Sequence, residues 1–119
     1  VFVIVADDSR VMRQIVIRTL RQAGYDWQIL EAADGQEVYD LTLDNNPDLV
    51  LSDWNMPNAT GLEALIALRQ AGSDVPFGFV TSEGSAEMRE QATNAGALFL
   101  IAKPFTAESF KAAIDPVLG

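Results

Sequence analysis

The chain has 119 residues, 49% of them apolar and 21% charged, a length and balance that suit one domain with a single substantial core and argue against disorder. Its 17 acidic against 8 basic residues give a formal charge of -9, which repels nucleic acid and anionic membrane, so no direct partner of either kind is expected. Cysteine and histidine are both absent, which excludes disulfides, thiolate metal sites, the Ser-His-Asp arrangement and the commonest zinc ligand, and fits a reducing, cytoplasmic compartment.

In chain order, Val1 to Ala6 reads as a strand and Ser9 to Ala23 as an amphipathic helix stopped by Gly24. Ile29 to Ala32 is a weaker strand, Gly35 to Leu43 a helix ended by Asn45-Asn46-Pro47, and Leu49 to Asp53 a strand. Gly61 to Ala71 is helical and closes at Gly72; Pro76 opens the strand Phe77 to Thr81, a position where proline is tolerated. Ser85 to Ala95 is a helix stopped by Gly96, Leu98 to Ala102 a strand, and Ala107 to Val117 a last helix.

Short apolar runs alternating with helices predict an α/β fold: a doubly wound, five-stranded parallel sheet with five helices, one domain over residues 1–119. The longest apolar runs, Val1 to Ala6 and Ala97 to Ala102, fall far short of the ~20 residues a membrane span needs. A strand-like start at Val1 leaves no room for a signal peptide, and with no initiator Met it reads as a piece of a longer chain.

In such sheets ligands collect beyond the carboxyl ends of the strands. Asp7 and Asp8 end the first strand here, Asp53 the third, Thr81 the fourth and Lys103 the fifth. Bringing Asp7-Asp8 beside Asp53 requires the first and third strands to be neighbours, which the flavodoxin-like order 2-1-3-4-5 achieves. Oxygen ligands suit Mg²⁺: Asp8 and Asp53 directly, Asp7 mostly through water, with a backbone carbonyl near Asn55. Asp53 is the candidate nucleophile, since an aspartate can form an acyl phosphate. Thr81 can donate to a phosphoryl oxygen. Lys103 follows an apolar run, an unusual place for an ammonium unless an anion waits for it, and Pro104 after it is a candidate for a cis bond. Taken singly, each has a plainer reading: a helix cap for Asp7-Asp8, a turn acid for Asp53, a lysine that snorkels to the surface.

Taken together, Asp7-Asp8, Asp53-Trp54-Asn55-Met56-Pro57-Asn58, Gly61-Leu62-Glu63, Thr81 and Lys103-Pro104-Phe105 resemble the CheY-like family of response-regulator receiver domains over essentially the whole chain, with motifs nearest the chemotaxis type. The resemblance implies Mg²⁺-dependent transfer of phosphate to Asp53 from a phosphohistidine on a histidine kinase or phosphotransfer protein. It implies self-dephosphorylation and no enzymatic activity on other substrates. Output then comes from a separate protein target or a severed output domain. By the same resemblance, Asn55 and Glu83 tune hydrolysis toward a short-lived signal. The position of the family's switch aromatic, three before the lysine, is Leu100, while Phe99 points to the other face of the strand.

A haloacid-dehalogenase-type enzyme needs a second acid two residues after the nucleophile, where this chain has Asn55. A dinucleotide binder needs glycines where it has Ala6-Asp7-Asp8-Ser9. The remaining alternative is a receiver-fold adaptor acting by surface contacts, without a phosphorylation-driven aromatic switch. On the first helix, Arg10, Arg13, Arg18 and Arg21 fall within about 140° of arc, with Ile17 among them as an apolar centre. That basic face is expected to help dock the phosphodonor, with Val11, Met12, Ile15, Val16 and Leu20 as the core side.

Overall fold

The computed structural model describes residues 1–118. Its elements are β1 (Phe2–Ala6), α1 (Arg10–Gln22), β2 (Gln28–Ala32), α2 (Gly35–Asn45), β3 (Leu49–Ser52), α3 (Gly61–Gln70), β4 (Phe77–Thr81), α4 (Ala86–Asn94), β5 (Phe99–Ala102) and α5 (Ala107–Leu118). All strand pairs are parallel and the order is β2-β1-β3-β4-β5, the expected doubly wound arrangement. Side-chain alternation splits the core between the two sheet faces. Ile4, Val50, Phe77 and Phe79 pack with Val38, Leu65, Leu68 and Ala92 from α2, α3 and α4. Val3, Val5, Leu49, Leu51, Val80 and Ile101 pack with Val16 and Leu20 of α1 and Phe110 and Ile114 of α5.

Local chemistry sets most helix starts. Ser9, Asp34 and Ser85 each accept an N–H of the first turn, and Thr60 with Glu63 forms a reciprocal capping box. The ends differ from the sequence expectation by one or two residues. α2 runs on to Asn45 because Asn46, in the left-handed region at φ 52°, supplies the cap just ahead of Pro47. β3 stops at Ser52, leaving Asp53 as the first residue beyond the ladder, where it is free to turn into the crevice.

The orientation of α1 corrects the sequence reading. Ile17 packs against the core, whereas Val11, expected inside, is 70% exposed and Ile15 is 38% exposed. The inward stripe is Arg13, Val16, Ile17, Leu20 and Ala23, with the i, i+3, i+4 spacing of one helix face. Arg13 heads that stripe because its guanidinium finds partners under the helix, donating to the Asp7 carbonyl at 2.7 Å and to Glu31 at 2.8 Å.

Candidate functional site

The site is assembled from strand ends pinned to one another. The Asp53 N–H donates to the Ala6 carbonyl at 2.9 Å, the Asp7 N–H to Ala32 at 3.1 Å, and the Lys103 N–H to Thr81 at 2.8 Å. These bonds continue the ladder one residue past β1, β3 and β5, so the functional side chains leave a rigid rim rather than a loose loop. Each of Asp7, Asp8 and Asp53 offers a carboxylate oxygen within 4.8 Å of the others. The Lys103 ammonium lies 3.2 Å from Asp7 and 3.6 Å from Asp53. The Lys103–Pro104 peptide bond is cis.

Asp7 is 4% exposed and fully engaged: Oδ1 accepts the Ser9 N–H at 2.9 Å, Oδ2 faces Lys103, and the main-chain oxygen accepts from Arg13. Asp8 is exposed. Ser9, not either aspartate, caps α1, so the plain capping role does not account for the acid pair. Asp53 Oδ1 accepts the Trp54 N–H at 2.7 Å, while Oδ2 is turned to Lys103. Burial pushes the Asp53 carboxyl above its ordinary value; Lys103 draws it down, Asp7 pushes it up and the Trp54 N–H draws it down, but the net direction is upward. Close packing of α3 holds Asp53 in place, because a Cβ on Gly61 would run into the Asp53 carbonyl oxygen and lie 2.9 Å from Ser52 Oγ.

Thr81 is fully buried at the end of β4, and its hydroxyl accepts the Glu83 N–H at 3.3 Å. Asn55 and Glu83 are exposed on the loops after β3 and β4. Leu100 is half-buried against the α2, α3 and α4 face. Phe99 points the other way, its ring occupying the space a side chain at Gly78 would need. Three contributors escaped the sequence reading. Arg13 was assigned to the docking face, Glu31 was passed over, and Ser52, whose hydroxyl donates to the Asp53 carbonyl at 2.8 Å, read only as strand. An acid in β2 opposite Val5 of β1 was the available signal for an arginine partner on the helix above.

Chemically, an oxygen-only donor set of three acids suits a hard cation such as Mg²⁺, which takes one or two carboxylates and completes its shell with water and phosphate oxygens. An ammonium at the rim adds a positive group for a phosphoryl oxygen.

Residues 3–115 match the response regulator receiver domain family. The chain is 39% identical over 119 residues to a chemotaxis protein CheY homolog of Campylobacter jejuni, covering 98% of this chain and 91% of that protein. It is 37% identical over 120 residues to chemotaxis protein CheY1 of Helicobacter pylori, covering 98% and 95%. A high-resolution structure of the chemotaxis response regulator CheY4 of Vibrio cholerae shares the fold with a TM-score of 0.84 at 33% identity, covering 98% and 97%. With a family match over residues 3–115 and relatives 37–39% identical over 98% of its length, the chain belongs to the CheY-like response regulator receiver domains of two-component signalling.

Proposed function

We propose that Asp53 accepts a phosphoryl group from a phosphohistidine of a kinase or phosphotransfer protein, in the presence of Mg²⁺, and that the acyl phosphate switches a surface read by a protein target or a linked output domain. The observation that carries this reading is the convergence of the Asp7, Asp8 and Asp53 carboxylates with the Lys103 ammonium at the carboxyl edge of the sheet. An Asp53 oxygen attacks phosphorus, the P–N bond breaks, and the donor imidazole leaves with the electron pair. Later, water adds to phosphorus, the acyl P–O bond breaks, and Asp53 and inorganic phosphate are released.

Asp8 and Asp53, with a backbone carbonyl at Asn55 and Asp7 through water, would hold Mg²⁺, which when bound neutralises charge developing on the phosphoryl oxygens. Lys103 binds a phosphoryl oxygen, and the Thr81 hydroxyl, now only an acceptor for Glu83, turns to donate to another. Asn55 and Glu83, exposed beside the acceptor, tune the access of the hydrolytic water. The chemistry is confined to the domain's own aspartate, so it is a phosphoacceptor rather than an enzyme acting on other substrates. Among the described residues no helix is long and apolar enough to cross a membrane, and a cytoplasmic location fits a partner kinase.

The test is acetyl phosphate with Mg²⁺. Wild-type protein is expected to gain one alkali- and hydroxylamine-labile phosphoryl group and Asp53→Asn none; uptake by the variant at the wild-type rate would overturn the assignment. A second reading, an adaptor working by surface contacts alone, is favoured only by Leu100 at the switch position. It predicts partner binding that a phosphoryl mimic at Asp53 leaves unchanged.

A further inference from the structure

Charged side chains alternate in sign along a continuous line across the carboxyl ends of the strands. Glu31 on β2 accepts from Arg13 at 2.8 Å, Arg13 donates to the Asp7 main chain at 2.7 Å, and Lys103 lies 3.2 Å from Asp7 and 3.6 Å from Asp53. The Arg13 side chain is 14% exposed, well below the usual state of a surface arginine. Gln14 donates to the same Glu31 oxygen at 3.1 Å, fixing the carboxylate from a second side. Arg13 touches neither Asp8 nor Asp53, so any role it has in the site runs through Asp7.

We propose that Arg13, oriented by Glu31, is a positioning residue for the metal and phosphoacceptor site: it fixes the main-chain carbonyl of Asp7, and with it the direction in which Asp8 leaves the strand toward Asp53 and the cation. The proposal rests on the metal-dependent reading of the site given above. The physical argument is geometric. The β1–α1 connection carries both acids, and Asp7 has each of its oxygens assigned a partner, two of them on the side chain and one on the main chain. Of those three, the bond from Arg13 is the shortest, and it is the one that ties the connection to a neighbouring strand through Glu31. Without it the Asp7–Asp8 peptide can rotate even though the Asp7 N–H stays on the Ala32 carbonyl, changing the direction in which Asp8 leaves the strand. Groups that orient metal ligands in this indirect way typically change affinity by roughly 10- to 100-fold when removed.

Arg13 and Glu31 should also separate geometry from charge. Glu31→Gln keeps an oxygen for the Arg13 Nε–H, so a positioning role survives it. Glu31→Ala removes the acceptor. Arg13→Lys retains the charge but cannot span Asp7 and Glu31 at once.

The experiment is Mg²⁺ titration of the 119-residue protein by calorimetry and by Trp54 fluorescence, with thermal unfolding measured alongside. Arg13→Ala is expected to bind Mg²⁺ at least about 10-fold more weakly, Arg13→Lys and Glu31→Ala to fall between it and wild type, and Glu31→Gln to stay within about twofold of wild type. In the Asp8→Ala background the effect of Arg13→Ala should shrink, since residues acting through one another are not additive. A purely structural arginine would lower the unfolding temperature while leaving Mg²⁺ affinity of the folded protein unchanged and the two substitutions additive; that result overturns the proposal. So does Glu31→Gln weakening binding as much as Arg13→Ala. If Arg13→Ala does not fold, Arg13→Lys and Glu31→Ala decide the matter. Absence of Mg²⁺ binding by the wild type would instead overturn the metal-dependent reading itself.

Discussion

The Lys103 ammonium lies closer to Asp7, at 3.2 Å, than to the candidate acceptor Asp53, at 3.6 Å. Under the proposed function Asp7 is then a resting counter-ion, from which the lysine would be drawn by a phosphoryl oxygen added next to it. Lys103→Ala is therefore expected to leave Mg²⁺ affinity within about threefold of wild type, while impairing the response to beryllofluoride. Asp8→Ala should weaken Mg²⁺ binding by more than about 10-fold, as loss of a direct ligand would. Trp54 follows Asp53 and packs against Phe79 at 4.8 Å between ring centroids, so its fluorescence reads both experiments. A large loss of Mg²⁺ affinity in Lys103→Ala would contradict the assignment of the lysine to the phosphoryl group.

Asp53 gives the fold a definite pH dependence. Burial raises its folded-state pKa above the ordinary 3.8, so the folded protein holds this proton more tightly than the unfolded chain. Stability from this group is present in full below the unfolded value and is lost as pH rises through the folded one. At neutral pH the ionised carboxylate is a burden, and Asp53→Asn should stabilise the protein. Partial exposure and screening reduce the effect, which is read as a higher Tm for the variant at neutral pH. The gain should vanish in acid, below the ordinary carboxylate value. Thermal scans of both proteins across pH 3 to 7.5 check it; a lower Tm for the variant at pH 7 would refute the sign.

On α1 the exposed apolar residues are Val11 and Ile15, one turn apart, beside the exposed Arg10 and Arg18. If this helix docks the phosphodonor, as the sequence reading expects, this pair takes the place of Ile17 as the apolar centre of that face. Ile15→Ser is expected to slow transfer from the cognate phosphohistidine protein about 10-fold while leaving acetyl phosphate rates unchanged. Ile17→Ser should instead destabilise the fold by about 1–2 kcal/mol, because its side chain packs in the core. Equal slowing with both donors in Ile15→Ser would exclude docking.

Leu100 tests how far an aromatic switch is needed. Leucine has no phenolic hydroxyl and cannot exchange a buried ring for an exposed one, and Phe99 is committed to the opposite face over Gly78. The Arg89 guanidinium reaches the carbonyls of Gly84 and Leu100, each at 3.4 Å, a long and weak link from the β4–α4 loop to the edge strand. Beryllofluoride should therefore change amide exchange strongly from Ser82 to Ser85 and less at Leu100 and in α5. Equal changes at both would show that leucine transmits the switch fully.

Strand and helix identity were legible because the apolar runs and stop glycines agree with one another, as at Gly24, Gly72 and Gly96. The order of the sheet followed from a chemical demand, that Asp7-Asp8 and Asp53 share a crevice. What the pattern concealed was the rotation of α1. A periodicity argument counts arginine as polar, so it turned Arg13 outward and Val11 inward; the carbonyl of buried Asp7 just beyond β1, with Glu31 of β2 beside it, reversed both. Ser52 was hidden for a related reason, since a small hydroxyl inside an apolar strand gives no signal until the carbonyl it bonds is placed.

The alternating line from Glu31 to Asp53 also fixes what the site demands electrically. Together with Asp8 it sets four carboxylates against the two cations Arg13 and Lys103. With every group ionised, the excess is two negative charges, the amount that a single divalent ion cancels. A monovalent ion would leave the rim still anionic and repellent to an incoming phosphoryl donor, whereas a divalent one brings it to neutrality. Glu31 and Arg13 offset one another within that sum, so the excess that a divalent ion would meet lies at the crevice itself, with Asp7, Asp8 and Asp53 against Lys103.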